Sequence, residues 1–204
     1  SERDRQWGIY LLDLKKMTEK SVFSSKGINI SGDFFPDADE FVMSSSIGGN
    51  PNIYSFSVSS SRLSRLSTSR GIDVTPSVSP DGNQIAFVSD RDGSPQVFIM
   101  SKDGHDARRI TFNGSYNTSP SWSPKGDKVV FSGRAGGKNQ IFVINPDGSN
   151  LTQVTDRGNN EDPSFSPDGR YIVFTSDSEG EKTVFIMRSN GEAKKRITPK
   201  GMRA

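Results

Sequence analysis

A repeat of 44 residues, 43 in the last unit, runs through this chain of 204 residues and limits its fold more than any other feature. Three landmarks keep that spacing: a turn with proline in second place, a pair of apolar residues, and one aliphatic residue at the end of each unit. The turn prolines are Pro36, Pro80, Pro124 and Pro167, the pairs begin at Ile9, Ile53, Val97, Ile141 and Val184, and the units end at Val22, Leu66, Ile110, Val154 and Ile197. Three independent landmarks with one period indicate a repeat protein.

Each unit has the pattern of four short strands separated by turns. In the unit around Pro80 we expect strands at 76–79, 84–89, 96–101 and 108–111. The first turn there is Ser-Pro-Asp-Gly, in which proline presets φ and glycine accepts the positive φ that follows. Four strands in about 40–45 residues are typical of one propeller blade, and no segment has the periodicity and caps of a helix. The sequence therefore predicts an all-β fold, a β-propeller of four-stranded blades.

The repeat predicts about four and a half blades in this chain. A half-blade at 6–23 holds only a third and a fourth strand, and full blades follow at 28–67, 72–111, 116–155 and 159–198. A propeller ring usually closes by completing one blade with strands from both termini, because open sheet edges favour aggregation. We therefore expect these blades to be part of a larger ring. The alternative is a closed four-bladed ring with a spare hairpin.

Composition and charge exclude several classes of function. The chain has 26 Lys and Arg against 24 Asp and Glu, a net charge of +2, which disfavours nucleic acid or an anionic membrane as the main partner. No run approaches the ~20 apolar residues of a membrane helix, so we expect no membrane insertion. The absence of cysteine from the sequence removes disulfides and thiolate metal sites.

Catalytic motifs are also missing from the sequence. The one histidine, His105, lies in the turn 102–105, where an exposed turn residue is the expected role. A serine hydrolase needs a base within hydrogen-bond reach of its nucleophile, and the serines here occupy repeat positions. We predict no catalytic residue, no metal and no cofactor. One alternative stays open, in which four carboxylates converge on the channel and bind a hard cation: Asp73, Asp90, Asp162 and Asp177.

The repeat resembles that of the TolB family. The resemblance is strongest in FVSDRDGSPQVFIMSKDGHDARRIT at 87–111 and SPSWSPKG at 119–126, and it covers essentially the whole chain. It implies a periplasmic, non-catalytic component of the Tol–Pal system, which serves outer-membrane integrity and cell division. That family has an N-terminal α/β domain and a six-bladed propeller that binds the peptidoglycan-associated lipoprotein. By this comparison the α/β domain and the remaining blades are absent here, so we expect no contact with TolA.

The resemblance also implies a set of partner-binding residues. In the TolB family, contacts map to positions eight, six and five residues before each turn proline, on the face formed by the longer, more varied loops. The residues at these positions are Ile28, Ile30 and Ser31, then Ile72, Val74 and Thr75, then Tyr116, Thr118 and Ser119, and finally Asn159, Glu161 and Asp162. Apolar residues in polar loops suit a protein-binding surface. The alternative is that they lie under the loops and cap the core.

A second function stays open from the sequence. Several peptidases and lyases carry related repeats, and the chain would suit the non-catalytic propeller of a prolyl-oligopeptidase-like serine peptidase. Such a propeller gates access to a hydrolase domain outside this chain. A hydrolase domain in the parent open reading frame would favour the gate, whereas an N-terminal α/β domain with a signal peptide would favour the interaction scaffold.

Overall fold

The structure, a computed structural model, describes residues 2–3 and 6–199. All regular secondary structure within these residues is β-strand. Five antiparallel sheets follow one another along the chain. The first is a half-blade of β1 (Glu2–Arg3), β2 (Gln6–Asp13) and β3 (Thr18–Ser24). The sequence indicated only two strands here, and the structure adds the short β1, which pairs with the start of β2.

Four full blades come next, each with four strands in sequence order, which confirms the propeller fold. Blade 1 contains β4 (Asn29–Phe34), β5 (Glu40–Ser45), β6 (Asn52–Ser57) and β7 (Leu63–Arg65). Blade 2 contains β8 (Asp73–Val78), β9 (Gln84–Ser89), β10 (Gln96–Ser101) and β11 (Arg108–Arg109). Blade 3 contains β12 (Asn117–Trp122), β13 (Val129–Ala135), β14 (Lys138–Ile144) and β15 (Thr152–Gln153). Blade 4 contains β16 (Asn160–Phe165), β17 (Tyr171–Ser176), β18 (Thr183–Arg188) and β19 (Lys195–Arg196).

The hydrophobic core lies between the blades rather than within them. In β13, Val129 and Phe131 pack towards blade 2, whereas Val130 packs towards blade 4. Successive side chains of a strand point to opposite faces, so a strand covered on both faces is buried at successive positions. Strands β5, β9 and β13 accordingly contain five consecutive buried residues each, at 41–45, 85–89 and 129–133, which begin with apolar side chains and end in serine or glycine.

The outermost strands end earlier than the sequence predicts, because a side-chain hydroxyl takes the place of a backbone carbonyl as hydrogen-bond acceptor. In blade 2 the Ile110 N–H still donates to the Val97 carbonyl at 2.9 Å. The Val97 N–H then donates to Thr111 Oγ1 at 2.9 Å instead of to a backbone carbonyl. Strand β11 is therefore shorter than the expected 108–111.

The innermost strands begin earlier than predicted and contain a bulge. In β8 the pairing with β9 shifts register between Val74 and Ser77, and Thr75 has a φ of 50°. Ser31, Ser119 and Asp162 have φ between 51° and 57° at the equivalent positions. Positive φ is uncommon outside glycine, and a bulge redirects the neighbouring side chains.

The turn glycines have positive φ and lie against the turn of the preceding blade. Gly82 has a φ of 72°, and a β-carbon on it would lie 3.0 Å from the Pro36 ring of the preceding blade. At Gly126 and Gly169 a β-carbon would make only ordinary contact with the preceding turn proline, and in the turn of blade 1 Ala38 takes the positive φ, of 58°. Within the part of the chain that the structure describes, no helix is long and apolar enough to cross a bilayer.

Candidate functional site

The predicted partner-binding residues lie at the end of the blades where two kinds of loop meet. The first residue of β8, Asp73, pairs with the last residue of β9, Ser89, and Asn117 pairs with Gly133 in blade 3. The loops that enter the innermost strands therefore lie beside the loops that leave the second strands. We call this end of the blades the loop face, and the opposite end, which carries the Pro-x-Gly turns, the turn face.

A groove of about 310 Å³ on the loop face brings together seven of the twelve predicted residues. It runs across the innermost strands of blades 2, 3 and 4. Its predicted members are Val74, Thr75, Tyr116, Thr118, Ser119, Glu161 and Asp162. Two further residues, Val88 and Asn139, complete the lining. We call this set of nine residues the loop-face groove.

Charged and amide groups hold one wall of the groove. Lys182 Nζ donates to Glu161 Oε2 at 2.6 Å, and Asn139 Nδ2 donates to Glu161 Oε1 at 2.7 Å. The hydrogen bond from Lys182 holds the pKa of Glu161 below its ordinary value, and the bond from Asn139 adds to this shift. The same carboxylate raises the pKa of Lys182. Glu161 is therefore ionised at neutral pH, with both oxygens oriented.

The bulged residues form the floor of the groove. Ser119 Oγ donates to Asp162 Oδ1 at 2.9 Å, which links blade 3 to blade 4. The Thr75 N–H donates to Ser44 Oγ of blade 1 at 3.0 Å, whereas Thr75 Oγ1 is buried and has no hydrogen-bond partner among the described residues. Residues with positive φ thus connect neighbouring blades at the site where a ligand could contact all of them.

Four of the predicted apolar residues are exposed. Ile28, Ile72 and Tyr116, each immediately before an innermost strand, have exposed fractions of 47%, 45% and 43%, and Ile30 has one of 37%. Side chains that capped the core would be buried, so that alternative is wrong for these four. Val74 is half-buried and lines the groove. The exposed tyrosine and the half-buried valine give the groove apolar surface in addition to its carboxylates.

The other predicted residues lie outside the loop-face groove. Ile30 and Ser31 line a second pocket, of about 480 Å³, between blade 1 and the half-blade. Ile28 and Ile72 lie in neither pocket. Asn159 is engaged within the protein, because its N–H and Nδ2 donate to the two oxygens of Asp177 at 2.6 and 2.9 Å.

The reasoning from sequence missed Val88, Asn139 and Lys182. Asn139 is the second residue of β14 and reaches blade 4, where its N–H donates to Asn159 Oδ1 at 3.3 Å. The equivalent repeat positions of blades 1 and 2 also contact the next blade, but as acceptors: Pro51 accepts from Asp73 N–H and Pro95 accepts from Asn117 N–H, both at 2.9 Å. This repeat position, at the start of each third strand, is the signal that could have found Asn139.

The four carboxylates that could have bound a cation are held apart by separate partners. Asp73 pairs with Arg91, Asp90 accepts from the Ile72 N–H at 2.6 Å, Asp162 accepts from Ser119, and Asp177 accepts from Asn159. Within residues 2–3 and 6–199, no group of three acidic or histidine side chains could hold a metal ion. The structure therefore offers no support for the convergent cation site.

Comparison with known proteins places the chain in a family. The sequence profile described as the TolB beta propeller domain matches residues 3–203. The structure is similar to TolB from Acinetobacter baumannii, with 31% identity, a TM-score of 0.83, and coverage of 90% of this chain and 46% of that one. It also superposes on a candidate TolB from Agrobacterium tumefaciens, with 22% identity, a TM-score of 0.86 and coverage of 94% and 69%.

The propeller fold also occurs in an enzyme, an oligogalacturonate lyase solved with manganese, at 16% identity, a TM-score of 0.71 and coverage of 94% and 59%. No curated protein sequence matches the chain. The chain spans just under half the length of the Acinetobacter TolB. On the sequence profile and the blade-by-blade fold, this chain belongs to the TolB beta propeller domain family.

Proposed function

We propose that the chain is a non-catalytic interaction scaffold of the periplasmic Tol–Pal system and that its loop-face groove binds the peptidoglycan-associated lipoprotein. The observation that carries the proposal is the groove itself, which spans three blades and combines an apolar side with oriented carboxylates. Binding residues on a rigid scaffold are typical of interaction domains. The resemblance to TolB supplies the partner.

The chemistry of the groove favours a protein segment as ligand. Tyr116 offers an aromatic surface with a hydroxyl group, the kind of side chain that dominates binding energy at protein interfaces. Glu161 is already neutralised by Lys182, whereas Asp162 accepts a hydrogen bond from the Ser119 hydroxyl. A bound loop would therefore place an apolar residue beside Tyr116 and a hydrogen-bond donor near Asp162.

The one histidine supports the non-catalytic part of the proposal. His105 lies on the turn face with its side chain 78% exposed, and Nε2 is 3.9 Å from Asp103 Oδ2. Asp103 also accepts from Ser101 Oγ at 2.6 Å, so the aspartate stands between the serine and the histidine. A Ser-His-Asp triad needs the histidine between the serine and the aspartate. This arrangement cannot activate Ser101.

The experiment measures binding of the periplasmic domain of the peptidoglycan-associated lipoprotein by titration calorimetry. Tyr116→Asp and Val74→Asp should each weaken binding, by about 30-fold for a residue at the centre of the interface. The midpoint of thermal unfolding should not change for the exposed Tyr116.

Tyr171→Asp is the matched control, because Tyr171 is also an exposed tyrosine, 39% accessible, but lies next to the turn at 166–170 on the turn face. It should bind the lipoprotein as the unmodified protein does. Unaltered binding by Tyr116→Asp and Val74→Asp would contradict the assignment of the groove. Equal losses with all three variants would show that the loss is not specific to the loop face.

A further inference from the structure

Blade 2 holds an arginine in a pocket that blade 3 leaves open. In blade 2 the Arg91 guanidinium lies over the rings of Phe98 and Phe87, 4.9 and 5.4 Å from their centroids. Its Nη2 is 3.2 Å from both oxygens of Asp73, and its Nε donates to Ser89 Oγ at 2.8 Å. Two aromatic faces, a carboxylate and a hydroxyl therefore define an arginine site within this fold.

One repeat further, blade 3 keeps the aromatic part of this site and loses the arginine. The spacing of 44 residues places Phe131 and Phe142 where Phe87 and Phe98 stand, and their rings are stacked with centroids 5.5 Å apart. Ala135 replaces Arg91, Asn117 replaces Asp73, and Gly133 replaces Ser89. The side chain that fills the site in blade 2 is absent from blade 3.

The space left by these replacements is a pocket of about 200 Å³. Asn117, Phe131, Ala135 and Phe142, which are four of the positions equivalent to the arginine site, line it together with Arg134 and Gln153. A β-carbon on Gly133 would lie 2.5 Å from Asn117 Oδ1 and 3.0 Å from the Phe142 ring. The missing side chain at Gly133 therefore leaves space beside the Asn117 amide and the Phe142 ring. We call this the blade-3 pocket.

We propose that the blade-3 pocket binds a guanidinium group, carried by an arginine side chain of a protein that docks on the loop face. The planar cation would lie against Phe131 and Phe142, as Arg91 lies against the equivalent rings, and Asn117 Oδ1 would accept one of its hydrogen bonds. Arg134 at the rim carries a charge that opposes the ligand, so the rim limits the affinity. The site is separate from the loop-face groove and does not depend on the lipoprotein as partner.

The test is a titration of the protein with N-acetyl-arginine amide, followed by the backbone amide resonances of Gly114 and Ala135. We expect saturable shifts with half-saturation on the order of millimolar, since the ligand gains stacking and one hydrogen bond. N-acetyl-lysine amide should bind at least several-fold more weakly, because an ammonium cannot stack flat on the rings. Equal binding of the two amides, or no shift up to the solubility limit, would overturn the proposal.

Variants of the pocket sharpen the test. Ala135→Arg should abolish the shifts, because the new side chain occupies the pocket as Arg91 does in blade 2. Gln153→Glu should tighten binding several-fold by adding a carboxylate to the wall, and Arg134→Ala should do so by removing the opposing charge. Both residues are exposed or at the rim, so these two variants stay informative if Ala135→Arg fails to fold. Unchanged affinity in both would contradict a cationic ligand.

A third arm identifies the source of the guanidinium group. An acetylated Gly-Arg-Gly amide should bind at least as tightly as methylguanidinium, because an arginine side chain can enter while its backbone stays outside. A peptide that is excluded while methylguanidinium binds would overturn the protein source. Loss of lipoprotein binding in the experiment above would not change these results, so failures of the two proposals can be told apart.

Discussion

Blades 2 and 3 place different groups at the buried first position of their innermost strands. In blade 3 this residue is Asn117, and Asn117 Nδ2 and Thr111 Oγ1 both donate to Gln96 Oε1 of blade 2, at 2.7 and 2.8 Å; all three side chains are buried and neutral. In blade 2 the same position is taken by Asp73, whose side chain is fully buried and pairs with Arg91 of the same blade. The same position in the repeat thus holds either an amide or a carboxylate.

The difference shows that the backbone of the repeat accepts either a carboxylate or an amide at this position, provided that the residue 18 positions later changes with it. A buried carboxylate is costly unless a cation and hydrogen bonds compensate it. Arg91 compensates Asp73, and Ala135 stands at the equivalent position where Asn117 needs no cation. Asp73 and Arg91 therefore have to be considered together, because the buried carboxylate without the arginine would destabilise blade 2.

The largest expected effect comes from breaking the buried ion pair between Asp73 and Arg91. Arg91→Ala would leave Asp73 buried without its cation, and we expect the free energy of unfolding to fall by about 3–5 kcal/mol. Urea denaturation followed by circular dichroism measures the loss. Arg108→Ala, an exposed arginine of the same blade, is the matched control and should change stability by less than about 0.5 kcal/mol. A loss below about 1 kcal/mol in Arg91→Ala would show that this ion pair does not stabilise the fold.

A smaller loss is expected from the neutral interface. Thr111→Val keeps the shape but removes the hydroxyl that accepts from Val97 N–H and donates to Gln96, which should cost about 1–3 kcal/mol. Thr155→Val repeats the experiment between blades 3 and 4, where Thr155 Oγ1 accepts from Ile141 N–H and donates to Gln140 at 2.8 Å. Similar losses at the two sites would support the equivalence of the interfaces, and widely different losses would argue against it.

Replacing both members of the ion pair by their neutral counterparts from blade 3 should restore most of the stability. The double variant Asp73→Asn with Arg91→Ala reproduces the residues of blade 3, and we expect it to unfold within about 1 kcal/mol of the original protein. A double-mutant cycle that includes Asp73→Asn measures the coupling between the two residues. If the double variant is as unstable as Arg91→Ala, the two solutions are not interchangeable.

The smallest effect concerns an exposed ion pair, which sharpens the contrast with the buried one. Glu161 and Lys182 have exposed fractions of 32% and 51%, so solvent weakens their attraction to less than about 1 kcal/mol. The hydrogen bond from Lys182 lowers the pKa of Glu161 relative to the unfolded chain. The pair therefore stabilises the fold above the ordinary pKa of glutamate, and this contribution is lost as the pH falls through the lowered value.

The measurement for this pair is the urea midpoint of the protein and of Glu161→Gln between pH 7 and pH 3. The original protein should be slightly more stable at pH 7, and the difference should vanish at the acid end. A difference that stays constant over this range would mean that protonation of Glu161 does not contribute to the pH dependence.

Most of the fold could be predicted from the sequence because its signals are local. The turn at Pro80 with Gly82, the apolar run of β9 and the period of 44 residues each depend only on neighbouring residues or on their repetition. The resemblance to the TolB family named twelve positions by their distance from the turn proline, and seven of them line the loop-face groove. The bulge at Thr75 could not be predicted, because a threonine with positive φ contradicts its own local preference.

The sequence by itself determined that the chain forms blades, how many it has, and which end of each blade carries the varied loops, because strands and turns follow from local patterns. Only the tertiary structure decided which side chains of different blades meet. Glu161 of blade 4 and Asn139 of blade 3, for example, are 22 residues apart in the sequence and form a hydrogen bond. The open blade-3 pocket likewise became visible only when the space around Ala135 could be compared with that around Arg91, since an absent side chain leaves no pattern of its own.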